Sequence, residues 1–114
     1  MLLKCKVGTD IVYMPRFNDK LDNKRFINKI LTNNEKEMYY NLESLRRRLE
    51  FLSGRFALKE AFAKAKGKGI GDLSFIDIEV SKDEYGAPYI EGVEASISLS
   101  HDTDYCIAVV IVGD

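Results

Sequence analysis

Asp10 stands where the chain could present a carboxylate to a ligand. It lies in Gly8-Thr9-Asp10-Ile11, at the end of an apolar segment that predicts a strand, and Arg16 follows it. A glycine within a strand indicates a bend or a close backbone approach, and an acid beside it can offer its oxygens at a sheet edge. The same pattern also fits an acid that caps a turn or a helix.

Glu60 is a second candidate acid, and Lys64 follows it four residues later in the segment 54–64. Residues four apart share one face of a helix, so the two can form an ordinary ion pair. The same segment holds Arg55 and Lys59 among apolar residues. A helix this apolar has little face left for solvent, so some of its charges should line a cleft or an interface.

A glycine-rich loop, Gly67–Gly71, follows these lysines and contains Lys68. Glycines beside a lysine can let the backbone approach phosphate oxygens. The loop follows the carboxyl end of a helix, which is the unfavourable end of the dipole for an anion, and it lacks the Walker A pattern. A simple helix stop at Gly67 and Gly69 is therefore the favoured interpretation of the loop taken alone.

His101 is the only histidine of the chain, so any imidazole chemistry must use it. It lies in Ser98-Leu99-Ser100-His101-Asp102, where a serine, a histidine and an aspartate are available to a hydrolase. The pattern has no nucleophile elbow, and a lone histidine excludes a histidine-rich metal site. A histidine that only makes structural hydrogen bonds remains an alternative.

The elements that must position these residues follow from hydrophobic periodicity and turn signals. Thr32 and Glu35 form a predicted capping box. The pattern predicts an α+β domain over 1–114, with a mostly antiparallel sheet packed with one long and several short helices. The predicted strands are 2–11, 74–81, 88–90, 95–99 and 105–112, and the predicted helices are 15–20, 24–31, 35–41 and 44–66.

Length and composition exclude several protein classes. The chain has 114 residues, of which 46% are hydrophobic and 31% charged, as in one folded domain. Its longest apolar run, Tyr105–Val112, is far shorter than the roughly 20 residues of a membrane span, and no signal-peptide pattern is present, so we expect a cytoplasmic protein. Cys5 and Cys106 are predicted to be packed thiols, with a disulfide or a reactive thiol as the alternative.

The charge is divided along the chain. Residues 1–70 hold 16 Lys and Arg against 8 Asp and Glu, a balance of +8, and residues 71–114 hold one Lys against 10 acids, a balance of −9. This division indicates that part of the surface attracts anions, unless the two signs mix in the folded chain.

Together, these patterns resemble the 4′-phosphopantetheinyl transferases, and within them the short holo-acyl-carrier-protein synthases. The resemblance spans nearly the whole chain, in the family's order and at its usual length. Three segments carry it: Gly8-Thr9-Asp10-Ile11 with Arg16, Gly54-Arg55-Phe56-Ala57 through Lys59-Glu60-Ala61 to Lys64, and Ser98-Leu99-Ser100-His101.

The resemblance implies transfer of the phosphopantetheine arm of coenzyme A to a serine of an acyl carrier protein, in support of fatty acid biosynthesis. It implies Mg²⁺ held by Asp10 and Glu60, whose oxygens suit this ion. Lys64 matches the family's pyrophosphate-contacting lysine. Longer members carry a second acid where this chain has Val12, so a third protein ligand is not expected. A metal-bound water near the two acids is the favoured base, with His101 as the alternative.

The resemblance also implies binding surfaces and an assembly. The nucleotide end of coenzyme A should meet Arg55, Lys64, Gly67, Gly69, Ser100 and His101. The acidic carrier protein should dock on Arg16, Lys20, Lys24 and Arg25. Short members form homotrimers with active sites between subunits, and neither a nucleic acid nor a membrane is expected as a partner.

Two other classes remain as alternatives. A nucleotide- or RNA-binding module would use the basic region and stack bases on aromatic side chains such as Tyr13, Phe17 and Phe26, but would give Asp10 and Glu60 no role. A small serine hydrolase would use Ser100 and His101 and would work in the presence of a chelator.

The basic docking surface predicts a salt-dependent association with an acidic carrier protein. Added salt screens exposed charges, so we expect the affinity to fall by about tenfold or more between low and high ionic strength. Titration calorimetry over a salt series measures the effect. An affinity that stays constant over the series contradicts electrostatic docking.

Overall fold

The computed structural model describes residues 4–69 and 73–113 of the chain. Two 3₁₀ turns, Met14–Phe17 and Phe75–Asp77, lie between the regular elements. The strands are β1 (Cys5–Tyr13), β2 (Val80–Lys82), β3 (Pro88–Ile90), β4 (Ala95–Asp102) and β5 (Tyr105–Gly113), and the helices are α1 (Lys24–Ile30), α2 (Asn33–Tyr40) and α3 (Leu45–Ala65).

The long helix α3 is the centre of the fold and is bounded by local signals. The Ser44 side chain accepts a hydrogen bond from the Arg47 amide at the first turn, and Lys66 is the C-cap. Gly67 then adopts a φ of +74°, a left-handed conformation that favours glycine. The second half of α3 is buried around almost its whole circumference, as its apolar sequence predicts.

A three-stranded antiparallel sheet packs against α3. Its strand order is β1-β5-β4, so β1 and β4 are its two edges, and β2 pairs with β3 in a separate antiparallel hairpin. The inner face of the sheet contributes Val12, Cys106, Ala108 and Val110 to the core. The predicted α+β class, with a mostly antiparallel sheet and one long helix, is confirmed.

The outer face of the sheet is apolar and exposed. Side chains alternate along each strand, so the residues between the buried ones face away from α3. The six largest exposed side chains of this face are Val7, Ile11, Tyr13, Tyr105, Ile107 and Ile111. An apolar face of this extent is typical of a surface that another molecule covers.

Two glycines allow close packing on α3. A Cβ atom on Gly8 would lie 1.8 Å from the carbonyl oxygen of Ala61 and 2.7 Å from the amide nitrogen of Ala65. A Cβ atom on Gly54 would lie 2.8 Å from Cδ2 of Leu99. The close approach that the sequence indicates at Gly8 is therefore present, against backbone, and Gly54 makes a second one against a flexible side chain.

Local interpretations of the sequence are confirmed in part. The capping box of Thr32 and Glu35 is present at the start of α2. The predicted strand 74–81 is wrong, because Phe75–Asp77 is a 3₁₀ turn and only Val80–Lys82 is a strand. Phe75 and Ile78 are both buried while Ile76 is exposed, which is a turn-like spacing that a strand cannot provide.

Three further expectations concern cysteines, the glycine loop and membrane spans. Cys106 is a packed thiol, but Cys5 is exposed, and neither forms a disulfide. The last residues of the loop Gly67–Gly71 lie outside the described residues. Among the helices of the described residues, none is long and apolar enough to cross a bilayer.

The contrast between the two glycines predicts unequal costs of substitution. Gly8→Ala should lower the free energy of unfolding by about 3 kcal/mol, because the new methyl group meets backbone that cannot rotate away. Gly54→Ala should cost far less, because Leu99 can change rotamer and alanine gains about 1 kcal/mol of helix propensity. Urea denaturation of both variants measures the difference, and equal losses contradict the close packing at Gly8.

Candidate active site

Strand β1 brings Asp10 onto the face that packs on α3. Gly8, Asp10 and Val12 alternate onto the same side of the strand, and Val12 is fully buried. The Asp10 side chain is 16% exposed, and its Oδ1 lies 3.3 Å from Nζ of Lys64. Lys64 also donates a hydrogen bond of 3.0 Å to the carbonyl oxygen of Thr9. Asp10 and Lys64 therefore meet although 54 positions separate them.

Glu60 is close enough to Asp10 for the two carboxylates to repel each other. Partial burial raises the pKa of Glu60, the charge of Asp10 raises it further, and Lys64 and Arg16 oppose the shift. Lys64 pairs with Asp10, and no ion pair within 4 Å joins Lys64 to Glu60 in the described part of the chain. The ordinary helical ion pair is therefore not what these residues form.

The Asp10–Glu60 pair suits a hard divalent cation. Carboxylate oxygens are the ligands that Mg²⁺ prefers, and this ion commonly uses only one or two of them and keeps several waters. A cation between the pair would also relieve the repulsion that raises the pKa of Glu60. Residues 4–69 and 73–113 contain no group of three or more His, Cys, Asp or Glu residues that could hold a metal.

A second cluster of candidate residues lines a hollow of about 430 Å³ between α3, β4 and the β2–β3 hairpin. We call it the basic hollow, after Arg47, Arg55, Lys82 and His101 in its wall. The wall also contains Glu50, which forms a 3.0 Å ion pair with Arg46. The excess of cationic side chains makes the hollow suitable for a phosphate-bearing ligand.

Arg55 lies deep in the basic hollow and is only 3% exposed. Its guanidinium carbon lies 4.0 Å from the centre of the Phe51 ring, and its Nη2 lies 3.5 Å from the carbonyl oxygen of Val80. Its Nε has no hydrogen-bond partner. Burial lowers the pKa of Arg55, whereas the charge of Glu35 raises it.

Sequence reasoning missed Arg47 and Lys82 in the wall of the hollow. Arg47 lies in a run of three arginines that is typical of a solvated helix face, but Arg47, Phe51 and Arg55 recur every four residues and so share one helical face. That spacing could have identified Arg47. Lys82 comes from the hairpin, which nothing in the local sequence connects to α3.

Ser100 and His101 do not act on the same face of β4. Adjacent strand residues point to opposite faces, and the outer-facing Ser100 is paired with Ile107 while His101 is paired with the buried Cys106. Of the two, His101 lines the hollow. A direct Ser–His pair is excluded by this geometry, which disfavours the serine hydrolase interpretation.

Gly67 and Gly69 follow the C-terminal end of α3, one turn beyond Lys64. An added Cβ atom would meet nothing within 4 Å at either glycine. This open space is compatible with the helix stop and leaves room for a ligand. The structure brings neither glycine to the basic hollow.

The Asp10–Glu60 pair and the basic hollow lie on different sides of the chain. Asp10 is on the edge strand β1, and His101 is on the opposite edge strand β4. On α3, Arg55 and Glu60 are five residues apart, which turns their side chains about 140° from each other around the helix axis. No residue lines both the hollow and the cleft beside Asp10.

The predicted docking residues begin next to the Asp10–Glu60 pair. The guanidinium carbon of Arg16 lies 4.9 Å from the Phe17 ring centre and 5.1 Å from that of Phe56. Its charge lowers the pKa of Glu60, which indicates that the two are near each other. Lys24 and Arg25, in the first turn of α1, are exposed, and Lys20 is half-buried with its Nζ 6.0 Å from the Phe26 ring centre.

Removal of the Asp10 charge should change the titration of Glu60. Asp10→Asn should lower the pKa of Glu60, because the repulsion disappears, but leave it above the usual value because burial remains. NMR titration of the glutamate carboxyl carbons in the metal-free chain measures the shift. Asp19→Asn, at an exposed site, should leave the pKa of Glu60 unchanged. A Glu60 pKa that does not respond to Asp10→Asn would show that the carboxylates are not neighbours.

Known proteins resemble this chain over nearly its whole length. Residues 6–110 match the family model of the 4′-phosphopantetheinyl transferase superfamily. A holo-[acyl-carrier-protein] synthase of Oceanobacillus iheyensis is 44% identical over 95% of this chain and 95% of its own. A crystal structure of a holo-(acyl-carrier-protein) synthase of Bacillus anthracis in complex with CoA (3′,5′-ADP) has a TM-score of 0.84 at 38% identity and covers 93% of both chains.

A further solved structure extends the likeness. The holo-[acyl-carrier-protein] synthase of Helicobacter pylori in complex with coenzyme A has a TM-score of 0.78 at 33% identity, over 91% of this chain and 96% of that one. The family and the enzyme class that the motifs predict are confirmed. The chain belongs to the 4′-phosphopantetheinyl transferase superfamily, and within it to the holo-[acyl-carrier-protein] synthases.

Proposed function

We propose that the chain transfers the 4′-phosphopantetheine group of coenzyme A to a serine of an apo acyl carrier protein in the presence of Mg²⁺. Adenosine 3′,5′-bisphosphate is the other product, and the modified carrier serves fatty acid biosynthesis. The observation that carries the proposal is the contact between Asp10 and Lys64, which lies one helical turn after Glu60. The charge of Asp10 raises the pKa of Glu60, which supports a place for both acids in one site. The coenzyme A complexes of the Bacillus anthracis and Helicobacter pylori relatives support the choice of donor.

Asp10 and Glu60 would hold the Mg²⁺. When bound, this ion would neutralise part of the negative charge of the diphosphate. Lys64 lies at hydrogen-bond distance from Asp10, and its side chain is 55% exposed, so its ammonium group can turn towards a diphosphate oxygen. Charge accumulates on the oxygens of the transferred phosphoryl group and on the leaving oxygen. A fixed ammonium group beside these oxygens stabilises that charge more in the transition state than in the bound substrate.

The basic hollow is the proposed site for the nucleotide end of coenzyme A. Arg55 lies in a wall that also contains His101, Arg47 and Lys82. Guanidinium groups form bidentate hydrogen bonds with phosphate, a geometry that suits the phosphate on the ribose. Ser100 points to the other face of β4, so its proposed contact with the nucleotide would come from its backbone.

The separation of the two clusters supports active sites between subunits. A contact between the β1 edge of one copy and the β4 edge of the next would be heterologous, and such contacts form a ring when the rotation between copies closes. The exposed apolar face of the sheet gives a second copy a surface to cover. The number three comes from the family resemblance, and the proposed assembly is a homotrimer.

The carrier protein is proposed to dock on the basic residues that begin at Arg16. This side chain lies near Glu60, so a carrier bound there would deliver its serine close to the acidic pair. Lys20, Lys24 and Arg25 continue the positive surface away from the site and would meet the acidic side chains of the carrier.

The transfer reaction can be tested directly by mass spectrometry. Incubation of an apo carrier protein with the chain, coenzyme A and Mg²⁺ should add the mass of the phosphopantetheine arm. Asp10→Ala and Glu60→Ala should each reduce turnover by about 100-fold or more, because the substrate oxygens lose charge stabilisation. Asp19→Ala is the matched control and should keep full turnover. Full activity of both acidic-site variants, or activity in a chelator, contradicts the proposed metal role.

Mixing two inactive variants tests whether sites form between subunits. Glu60→Ala damages the acidic pair and Arg55→Ala damages the hollow, so a mixed assembly contains some interfaces where both halves are intact. Random mixing in equal amounts should restore about a quarter of the wild-type activity. No recovery after dissociation and reassembly would show that each site lies within one subunit.

A further inference from the structure

Glu35 is a fully buried carboxylate to which the proposed reaction assigns no role. Its Oε1 accepts a 2.8 Å hydrogen bond from the amide of Thr32, which completes the capping box of α2. Its Oε2 accepts a 2.9 Å hydrogen bond from the amide of Val80, at the start of β2. One side chain therefore joins a helix start to a strand that is 45 positions away.

Two cations of α3 face this carboxylate. Nζ of Lys59 lies 2.5 Å from Oε1 of Glu35 and 2.8 Å from the carbonyl oxygen of Ile30. Nε of Arg55 lies 3.8 Å from Oε2, which is an ion-pair distance rather than a hydrogen bond. The three groups carry formal charges of one minus and two plus. Glu79, which accepts a hydrogen bond from the Thr32 hydroxyl, adds a second negative charge near Lys59.

Lys59 is satisfied within the cluster, whereas Arg55 is not. Lys59 is fully buried and donates to two oxygens, so its charge is compensated. Arg55 has an unpartnered Nε, only a long contact to Val80, and a wall position in the basic hollow. Arg55 is therefore the cation of this cluster that reaches the wall of the hollow.

The same carboxylate also contacts the strand that leads into the opposite wall of the hollow. Glu35 fixes the amide of Val80, and β2 continues from there to Lys82, which lines the hollow. Its position thus determines where the guanidinium of Arg55 lies and where the hairpin begins. These are two of the three structural elements that enclose the hollow.

We propose that Glu35 is a positioning residue for the nucleotide site, which holds Arg55 and the start of β2 in the arrangement that accepts a phosphate-bearing ligand. This inference rests on the proposed role of the hollow as the site for the nucleotide end of coenzyme A. Glu35 acts through Arg55 and touches no substrate. A purely structural role would affect stability without a selective effect on the nucleotide.

The test measures binding of adenosine 3′,5′-bisphosphate by titration calorimetry and the KM for coenzyme A. Glu35→Gln should weaken bisphosphate binding by about tenfold or more and raise the KM for coenzyme A, with a smaller change in kcat and in the KM for the carrier protein. Glu37→Gln, on the exposed side of the same helix, is the matched control and should leave both constants unchanged. Unchanged bisphosphate affinity in folded Glu35→Gln would overturn the proposal.

A double-mutant cycle separates positioning from general destabilisation. If Glu35 acts through Arg55, then Glu35→Gln should cause no further loss of bisphosphate affinity in an Arg55→Met background. The melting temperature should still fall in both backgrounds, because the buried Lys59 loses its partner in each. Fully additive losses of affinity would overturn the proposal.

Glu35→Gln removes the carboxylate that faces two buried cations, so a second variant is needed to separate loss of folding from loss of binding. Glu35→Gln with Lys59→Met removes the second cation and replaces it with an apolar side chain of similar length. The same loss of bisphosphate affinity is expected, and wild-type affinity in this double variant would overturn the proposal. A wild-type chain that neither binds the bisphosphate nor modifies the carrier would instead overturn the proposed function itself.

Discussion

The contact between the backbone of β1 at Gly8 and the backbone of α3 at Ala61 is the constraint on which the candidate site depends. Because no side chain separates the two elements there, Asp10, two residues along the strand, comes to lie beside the turn of α3 that carries Glu60 and Lys64. Any wider spacing would separate the carboxylates and let bulk water screen them. The geometry of the candidate site thus depends on the absence of a side chain at Gly8.

Elements with strong local signals could be predicted from the sequence. The bounds of α3 follow from Ser44 at one end and Gly67 at the other, and the capping box of α2 follows from Thr32 and Glu35. The 3₁₀ turn Phe75–Asp77 could not be predicted in this way. Ile76, Ile78 and Val80 alternate in the sequence as they would in a strand. The turn becomes evident only from tertiary packing, which buries Phe75 and leaves Ile76 exposed.

The parts of the site that sequence reasoning missed are those that depend on long-range contacts. Glu35 was identified as a capping residue, but its pairing with Lys59 and Arg55 arises only when α2 packs on α3. The division of charge along the chain did not identify every basic residue of the hollow either. Lys82, the only basic residue apart from His101 in the acidic part of the chain, lies in the wall of the basic hollow.

The hydrogen bond between Lys64 and Asp10 has a thermodynamic consequence for loading of the site. The ammonium group acts as an internal counter-ion, so a divalent ion bound at the proposed site on Asp10 would displace it and free it for a diphosphate oxygen. Whichever ligand bound first would break the hydrogen bond between Lys64 and Asp10, so the second would bind without that energetic cost. Linkage requires the effect to be mutual, so coenzyme and ion should each tighten the binding of the other by the same factor.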